Sequence, residues 1–427
     1  MSNKHLHLKE RRRMKLKTLT TAMILATVPM TGAFAAALDR SGQSISAFLQ
    51  PGNYFEAGIS ILDPDVSGTT RTAEKTDDMA GDYYFPTAAL KIQATDQISV
   101  GLLYDQPFGA DAEYTKTAAF TNTTGNTAVD VDTQNLSLIL GFQPTENWNL
   151  YGGAVYQTVK GNVALRGAAY SVLGGVSALG YKGYDANIKE TDGYGWLAGV
   201  AYQIPDIALK ASLTYRSEID HDVKIKESVL SPTQMGLANA ALAGAFNQLN
   251  PNGYTDVEST ITTPQSVNLD LQSGIMADTV AFANLRWVNW KDFSIRPNNF
   301  GQFSKAATAA SGAKGFDLVA YEDDQISATV GVGRKFNELW AGNVSLGWDS
   351  GAGDPVTTLG PTEGYWNVGL GLQYSPTPAT FIAGGVKYFM LGDAKAQSGA
   401  QFGTDAYVAE FEDNDAWAYG LKIGYKF

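Results

Sequence analysis

The 427-residue chain has no cysteine, so no disulfide staples any part of it. Beyond its first 35 residues it also lacks any apolar run of the roughly 18 residues that a membrane-crossing helix needs. If the chain spans a membrane, only a closed barrel remains, because there every strand finds a backbone partner away from water. Histidine is nearly missing as well: beyond residue 35 there is only His221. No Ser/His/Asp order, no paired metal-ligand spacing and no phosphate-cradling loop accompanies it, so the sequence argues for no enzyme, no metal and no cofactor. Between Asp220 and Asp222, His221 itself reads as a solvated loop residue.

Positive charge is scarce and badly distributed. From Met14 the chain shows a basic start at Lys15 and Lys17, an apolar run from Ala22 to Phe34, and small residues at Ala33, Ala35 and Ala36, the pattern of a secretory leader cut after Ala35. The Lys9–Arg13 run ahead of it reads as part of that leader or as a start codon placed too early. Residues 36–427 carry 24 basic against 42 acidic side chains, which excludes nucleic acid as a partner.

What is abundant is alternation. Trp417, Tyr419, Leu421, Ile423, Tyr425 and Phe427 interleave with Ala418, Gly420, Lys422, Gly424 and Lys426, one face for lipid and one for a lumen. The same period runs through Leu136–Phe142, Trp148–Tyr156, Trp340–Trp348 and Trp366–Tyr374, with Trp and Tyr at the ends of the rows, as interfacial girdles require. Fourteen such segments are predicted, at about 54–62, 83–94, 97–107, 132–143, 147–160, 193–204, 207–217, 264–274, 277–290, 325–336, 339–350, 364–374, 378–390 and 415–427. Short and long connections alternate strictly between them, the pattern of periplasmic turns and outer loops. The expectation is an all-β, 14-stranded antiparallel transmembrane β-barrel in the bacterial outer membrane, touching its lipid and lipopolysaccharide, with a leader at 1–35, a short N-terminal segment at 36–53 and the barrel at 54–427.

The lumen face is predicted to mix polar residues with Leu103, Ile139, Tyr151, Val155, Leu197, Phe282, Phe381 and Phe389, more apolar surface than a water-filled pore needs. Lys210, Arg216, Arg286 and Lys387 on that face are candidates to receive a ligand carboxylate, or else to pair with carboxylates of the chain itself. Two outer loops have helical spacing. One carries Leu165, Val172 and Val176; the other follows Ser231-Pro232 with Leu242 and Phe246. Their apolar faces either pack together or form a groove that collects apolar solutes.

Four short stretches then gain meaning together: Ile61-Leu62-Asp63-Pro64-Asp65-Val66, Tyr104-Asp105-Gln106-Pro107-Phe108-Gly109, Leu213-Thr214-Tyr215-Arg216-Ser217-Glu218 and Trp290-Lys291-Asp292-Phe293. With them the chain resembles the FadL family of long-chain fatty-acid transporters and their aromatic-hydrocarbon uptake relatives. The resemblance implies a monomeric barrel with an N-terminal hatch, capture of hydrophobic small molecules by helical extracellular loops, passive uptake, and sideways exit at a kinked third strand. Pro107 and Gly109 suit that kink, since proline removes a ladder donor and glycine tolerates a bend. One departure stands out: the family's Asn-Pro-Ala hatch motif is missing, and only about eighteen residues precede the first strand, so a less complete plug is expected. Two other functions stay open on the sequence, a general hydrophilic porin and a barrel that anchors a surface-interaction protein.

Overall fold

The computed structural model describes residues 38–171, 183–229, 254–308, 315–398, 401 and 404–427. Fourteen antiparallel strands close into a barrel. They are β1 (Tyr54–Asp65), β2 (Tyr83–Gln93), β3 (Ile98–Asp105, resuming at Gly109–Glu113), β4 (Ala128–Phe142), β5 (Trp148–Leu165), β6 (Tyr184–Ile204) and β7 (Leu209–Arg216, resuming at Ile219–Val229). The second half comprises β8 (Tyr254–Thr263, resuming at Ser266–Met276), β9 (Thr279–Val288), β10 (Gln325–Lys335), β11 (Trp340–Asp349), β12 (Tyr365–Tyr374), β13 (Thr380–Leu391) and β14 (Asp415–Lys426). β1 and β14 pair from Tyr54↔Lys426 to Asp65↔Asp415, which removes both sheet edges.

The alternation makes this wall. Leu140, Leu370 and Leu421 point outward, each more than half exposed in the isolated chain, a face that only lipid would cover. Aromatic pairs ring both ends of it: Trp148–Tyr202 and Trp340–Tyr374 on the side of the short turns, Tyr388–Trp417 and Trp196–Tyr215 on the other.

The sequence reading differs from the structure in three places. β7 and β8 run on well past the girdle, through 219–229 and 254–263, where Asp220, Asp222 and Lys224 replace apolar residues on the outward face and so disguise a strand as a loop. His221 lies on that extension, fully buried rather than solvated, with Nε2 3.0 Å from the Gln157 Oε1. Leu165 closes β5 instead of opening a loop helix; among the described residues a helix there, α1, is Ala168–Ser171. Val172, Val176, Leu242 and Phe246 lie outside the described residues, as does the leader. A second loop helix, α2 (Asn298–Thr308), carried no sequence signal that was read, yet has a physical cause: the Glu227 carboxylate accepts the Asn299 and Phe300 amides, both at 2.8 Å, and so neutralises its N-terminus.

Inside the barrel, residues 38–53 fold as a compact hatch, and Ile45, Ala47, Phe48 and Leu49 pack against Leu103, Ile139, Tyr151, Leu197 and Phe381. Short as it is, the hatch is buried along most of its length. Phe48, fully buried, lies over Gly101 and Gly141, where any Cβ would collide with its ring. Gly101→Ala is therefore expected to weaken hatch docking by about 1–3 kcal/mol, the usual cost of overpacking. Limited proteolysis of residues 38–53, compared before and after the substitution, measures it.

Above the hatch a second core fills the outer half of the barrel and the loop bases. Phe108, Phe293 and Tyr321 each meet the buried Trp290 edge to face with ring centroids 5.2–5.4 Å apart, and Tyr114 stacks on Phe120 at 4.0 Å.

Candidate functional site

β3 stops at Asp105 and restarts at Gly109, and this interruption organises the site. Its lower half pairs with β2 only from Ala88↔Tyr104 to Gln93↔Ser99, whereas its upper half has its ladder in β4 and, on the other side, only an isolated bridge at Ala80↔Ala112 just ahead of β2. The stretch Tyr83–Thr87 of β2 has a ladder partner only in β1, so the wall between β2 and β3 lacks its hydrogen bonds there. Proline at 107 contributes no amide to this junction. On the β4 side, the Thr133 hydroxyl stands in for a ladder partner, accepting from the Phe108 amide at 2.9 Å and donating to the Phe108 carbonyl at 2.7 Å.

The hatch occupies the vacated ladder position from within. The Arg40 amide donates to the Pro107 carbonyl at 2.7 Å, the Gly109 amide donates to the Leu38 carbonyl at 2.9 Å, and Asp39 bridges Phe108. Gly109 is required for close approach: a Cβ there would meet the Arg40 guanidinium and the Val131 carbonyl. That guanidinium lies 3.9 Å over the Tyr83 ring, and the Tyr83 hydroxyl donates to the Asp111 carbonyl at 2.9 Å and accepts its amide at 2.8 Å. Tyr83 thus spans the outer end of the gap with its side chain, where backbone pairing fails. Just inside lies a recess lined by Ser41 and Ala47 of the hatch, Phe85 and Thr87 of β2, and Leu103 and Asp105 of β3. Ser41 is tied to the far wall by a 2.5 Å hydrogen bond to Asp105.

Three of the four lumenal cations turn inward onto this hatch. Arg286 grips Asp39 through Nε at 2.7 Å and Nη2 at 3.2 Å, with both side chains under 5% exposed, and its Nη1 reaches Asn268 at 2.7 Å. Arg216 donates to the Gln43 carbonyl at 3.2 Å, and Lys210 to the Leu49 carbonyl at 2.8 Å. Lys387 sits apart from them on β13, its stem near Gly369 of β12. Pro107 and Gly109 lie at the interruption, while Leu165 belongs to the outer core rather than to any groove. Sequence reasoning missed Asp39, Thr133 and Tyr83. An acid in a short segment that must fit a lumen containing arginines was a usable signal for Asp39; Thr133 and Tyr83 carried none.

At the outer rim the loop from β11 to β12 folds its own acid inward. Glu363 Oε1 accepts the Gly353 amide at 3.0 Å, while Oε2 is buried without a partner. Burial, with Asp354 and Asp323 adding to it, pushes this carboxyl up to about 7 from 4.5, against the pull of the Gly353 and Ala352 amides. Below its ordinary value both folded and unfolded loops hold the proton, so no stability is lost; from there up to about 7 the folded loop weakens as pH rises. Hydrogen exchange of residues 350–364, corrected for intrinsic rate, is expected to quicken from about pH 4.5 to about pH 7 in the native chain and to change less in Glu363→Gln.

The model of the family described as outer membrane protein transport protein (OMPP1/FadL/TodX) matches residues 33–427. No curated protein sequence matches the chain. Among solved structures, a Pseudomonas aeruginosa FadL homologue superposes with a TM-score of 0.68 at 14% identity, over 90% of this chain and 92% of that one. The Pseudomonas putida toluene transporter TodX gives a TM-score of 0.60 at 13% identity, over 94% and 95% of the two chains. A monoaromatic hydrocarbon channel, CymD, gives 0.56 at 12% identity, over 89% of each. At these identities the likeness is one of fold.

Proposed function

The chain belongs to the OMPP1/FadL/TodX family of outer-membrane transport proteins, and from that premise we propose that it admits small hydrophobic molecules passively and releases them sideways, between β2 and β3, into the membrane. The observation that carries this reading is the interrupted third strand with a recess behind it. A barrel gains nothing in stability from eliminating ladder hydrogen bonds at one seam, each worth about 1 kcal/mol net. An opening in the wall gives the loss a purpose, because an apolar solute leaving there never enters water. Pro107 and Gly109 make the break. The apolar column from Phe108 through Trp290 to Phe293 and Tyr321 leads up from it toward the loops.

Capture is assigned to the outer loops, where the apolar spacing of Val172, Val176, Leu242 and Phe246 supports a collecting surface, Leu165 being taken up in the outer core. The lumenal cations favour neutral cargo over acids. Arg286 is already neutralised by Asp39, Arg216 is engaged by a hatch carbonyl, and Lys210 lies beneath the hatch, so a fatty-acid carboxylate arriving from outside would have to displace the plug to reach any of them. A hydrocarbon, aromatic or aliphatic, needs no such partner. The protein acts as a monomer, with no energy source in the chain, and a water-filled porin is disfavoured by the packed hatch and outer core.

Uptake of radiolabelled toluene and of a radiolabelled long-chain fatty acid by outer-membrane mutant cells, with and without the protein, tests the reading. Toluene uptake is expected to rise and fatty-acid uptake to rise less. Unchanged uptake of both, with free flux of small sugars, would replace the transporter by a porin.

A further inference from the structure

Beneath the hatch, on the side of the short turns, a vestibule of about 280 Å³ opens away from the β2–β3 gap. Its walls set amide side chains and two lysines, Lys91 and Lys210, among Leu49, Pro51 and Ala201, in a chain that is otherwise acidic. Lys91, 3% exposed, donates to the Gln50 carbonyl at 2.7 Å and to Gln93 Oε1 at 2.8 Å; Lys210 donates to the Leu49 carbonyl at 2.8 Å. Two ammonium groups carry six N–H donors between them, and these bonds use three. Neither lysine forms an ion pair among the described residues. Two ammonium groups lining one vestibule, unneutralised, repel each other through a medium less polar than water. An anion placed between them removes that repulsion.

A third group points the same way. Asn149 is 7% exposed, and its carboxamide oxygen is buried without a partner. Turning the amide over sacrifices no hydrogen bond of that oxygen and presents N–H donors to the same space. The one carboxylate on the walls, Asp96, is exposed on the β2–β3 turn and lies at the rim.

We propose that this vestibule is a carboxylate-binding site, in which Lys91, Lys210 and Asn149 together hold a small hydrophilic acid from the periplasmic side. The lining amides exclude an apolar chain as the recognised part, which separates this site from the hydrocarbon route above the hatch. The assignment does not depend on the cargo proposed there.

Calorimetric titration of the detergent-solubilised full-length protein with succinate tests it, since succinate is too polar to occupy the apolar route. One saturable site is expected in the native protein. Lys210→Met is expected to weaken binding at least tenfold and Lys210→Arg to retain it. Asp96→Asn, an exposed turn substitution that leaves the hatch untouched, is expected to tighten binding severalfold, and it keeps the test sound if Lys210→Met loosens the plug. Absence of saturable succinate binding by the native protein would overturn the proposal; so would affinity that neither Lys210→Met nor Asp96→Asn moves.

Discussion

Asp39→Asn is expected to convert a closed barrel into a leaking one. The substitution keeps the shape of the side chain and removes the charge that a 1%-exposed Arg286 depends on. Asn268 and Gln43 remain within reach of that guanidinium, at 2.7 and 3.2 Å, but both are neutral. Stranding one member of a buried pair typically costs about 3–5 kcal/mol, far more than the pair contributes over an apolar substitute. The hatch's other ties are individually smaller: Phe48 in its glycine-lined seat is worth about 1.5–3 kcal/mol, and single hydrogen bonds reach Leu38, Arg40, Ser41, Gly42, Gln43, Leu49 and Gln50. Planar-bilayer recording is expected to show steady ion conductance in Asp39→Asn where the native protein shows almost none, with trypsin cutting at Arg40 in parallel. A double variant with Arg286→Met, which abolishes the stranded charge, is expected to recover much of the closure. Conductance unaffected by Asp39→Asn would mean that the plug is held by packing alone.

The second large effect is expected at the gap in the wall. Thr87 projects from β2 into the recess behind the β3 interruption, and Thr87→Trp places an indole in that space. No ladder hydrogen bond is lost, because the position has a partner only in β1. Hydrocarbon uptake is expected to fall by about tenfold or more, equivalent to about 1.4 kcal/mol or more on the exit barrier. Heat-modifiable migration of the barrel on a gel should stay unchanged, and so should conductance, since the hatch is not disturbed. Full uptake in Thr87→Trp would place the exit elsewhere and eliminate the sideways route.

The contrast between these residues shows what a sequence can reveal. The wall was readable because lipid and lumen impose opposite demands on neighbouring residues, so Trp417 to Phe427 spell out a strand by themselves. That signal fades where the demand does: the outer stretches of β7 and β8 stand clear of lipid, and charged residues on their outward face made them look like loops. Pro107 and Gly109, singled out because their backbone chemistry is local, lie at the interruption of β3. What fills the break is not local. Asp39 and Arg286 are 247 positions apart, and although pairing with the chain's own carboxylates was one of the two readings of the lumenal cations, nothing in the spacing told which acid would be the partner. The hatch was visible as a short leftover segment, but its fit depends on Gly101 and Gly141, glycines that in a strand could equally mark a bulge.

The hatch also fixes an order of assembly. Its partners Arg216, Asn268 and Arg286 come from β7, β8 and β9, more than 170 residues downstream, and their side chains converge only once the sheet has curled shut through β1 and β14. Contacts of such long separation form late, because the entropy of closing the chain must be met before they return anything. The segment synthesised ahead of the barrel is therefore the last to find its place, and until it does the nascent cylinder is an open tube. Insertion into the membrane and sealing of the pore are therefore expected to be separable steps, and a chaperone that shields residues 38–53 in the periplasm would act on the second without touching the first.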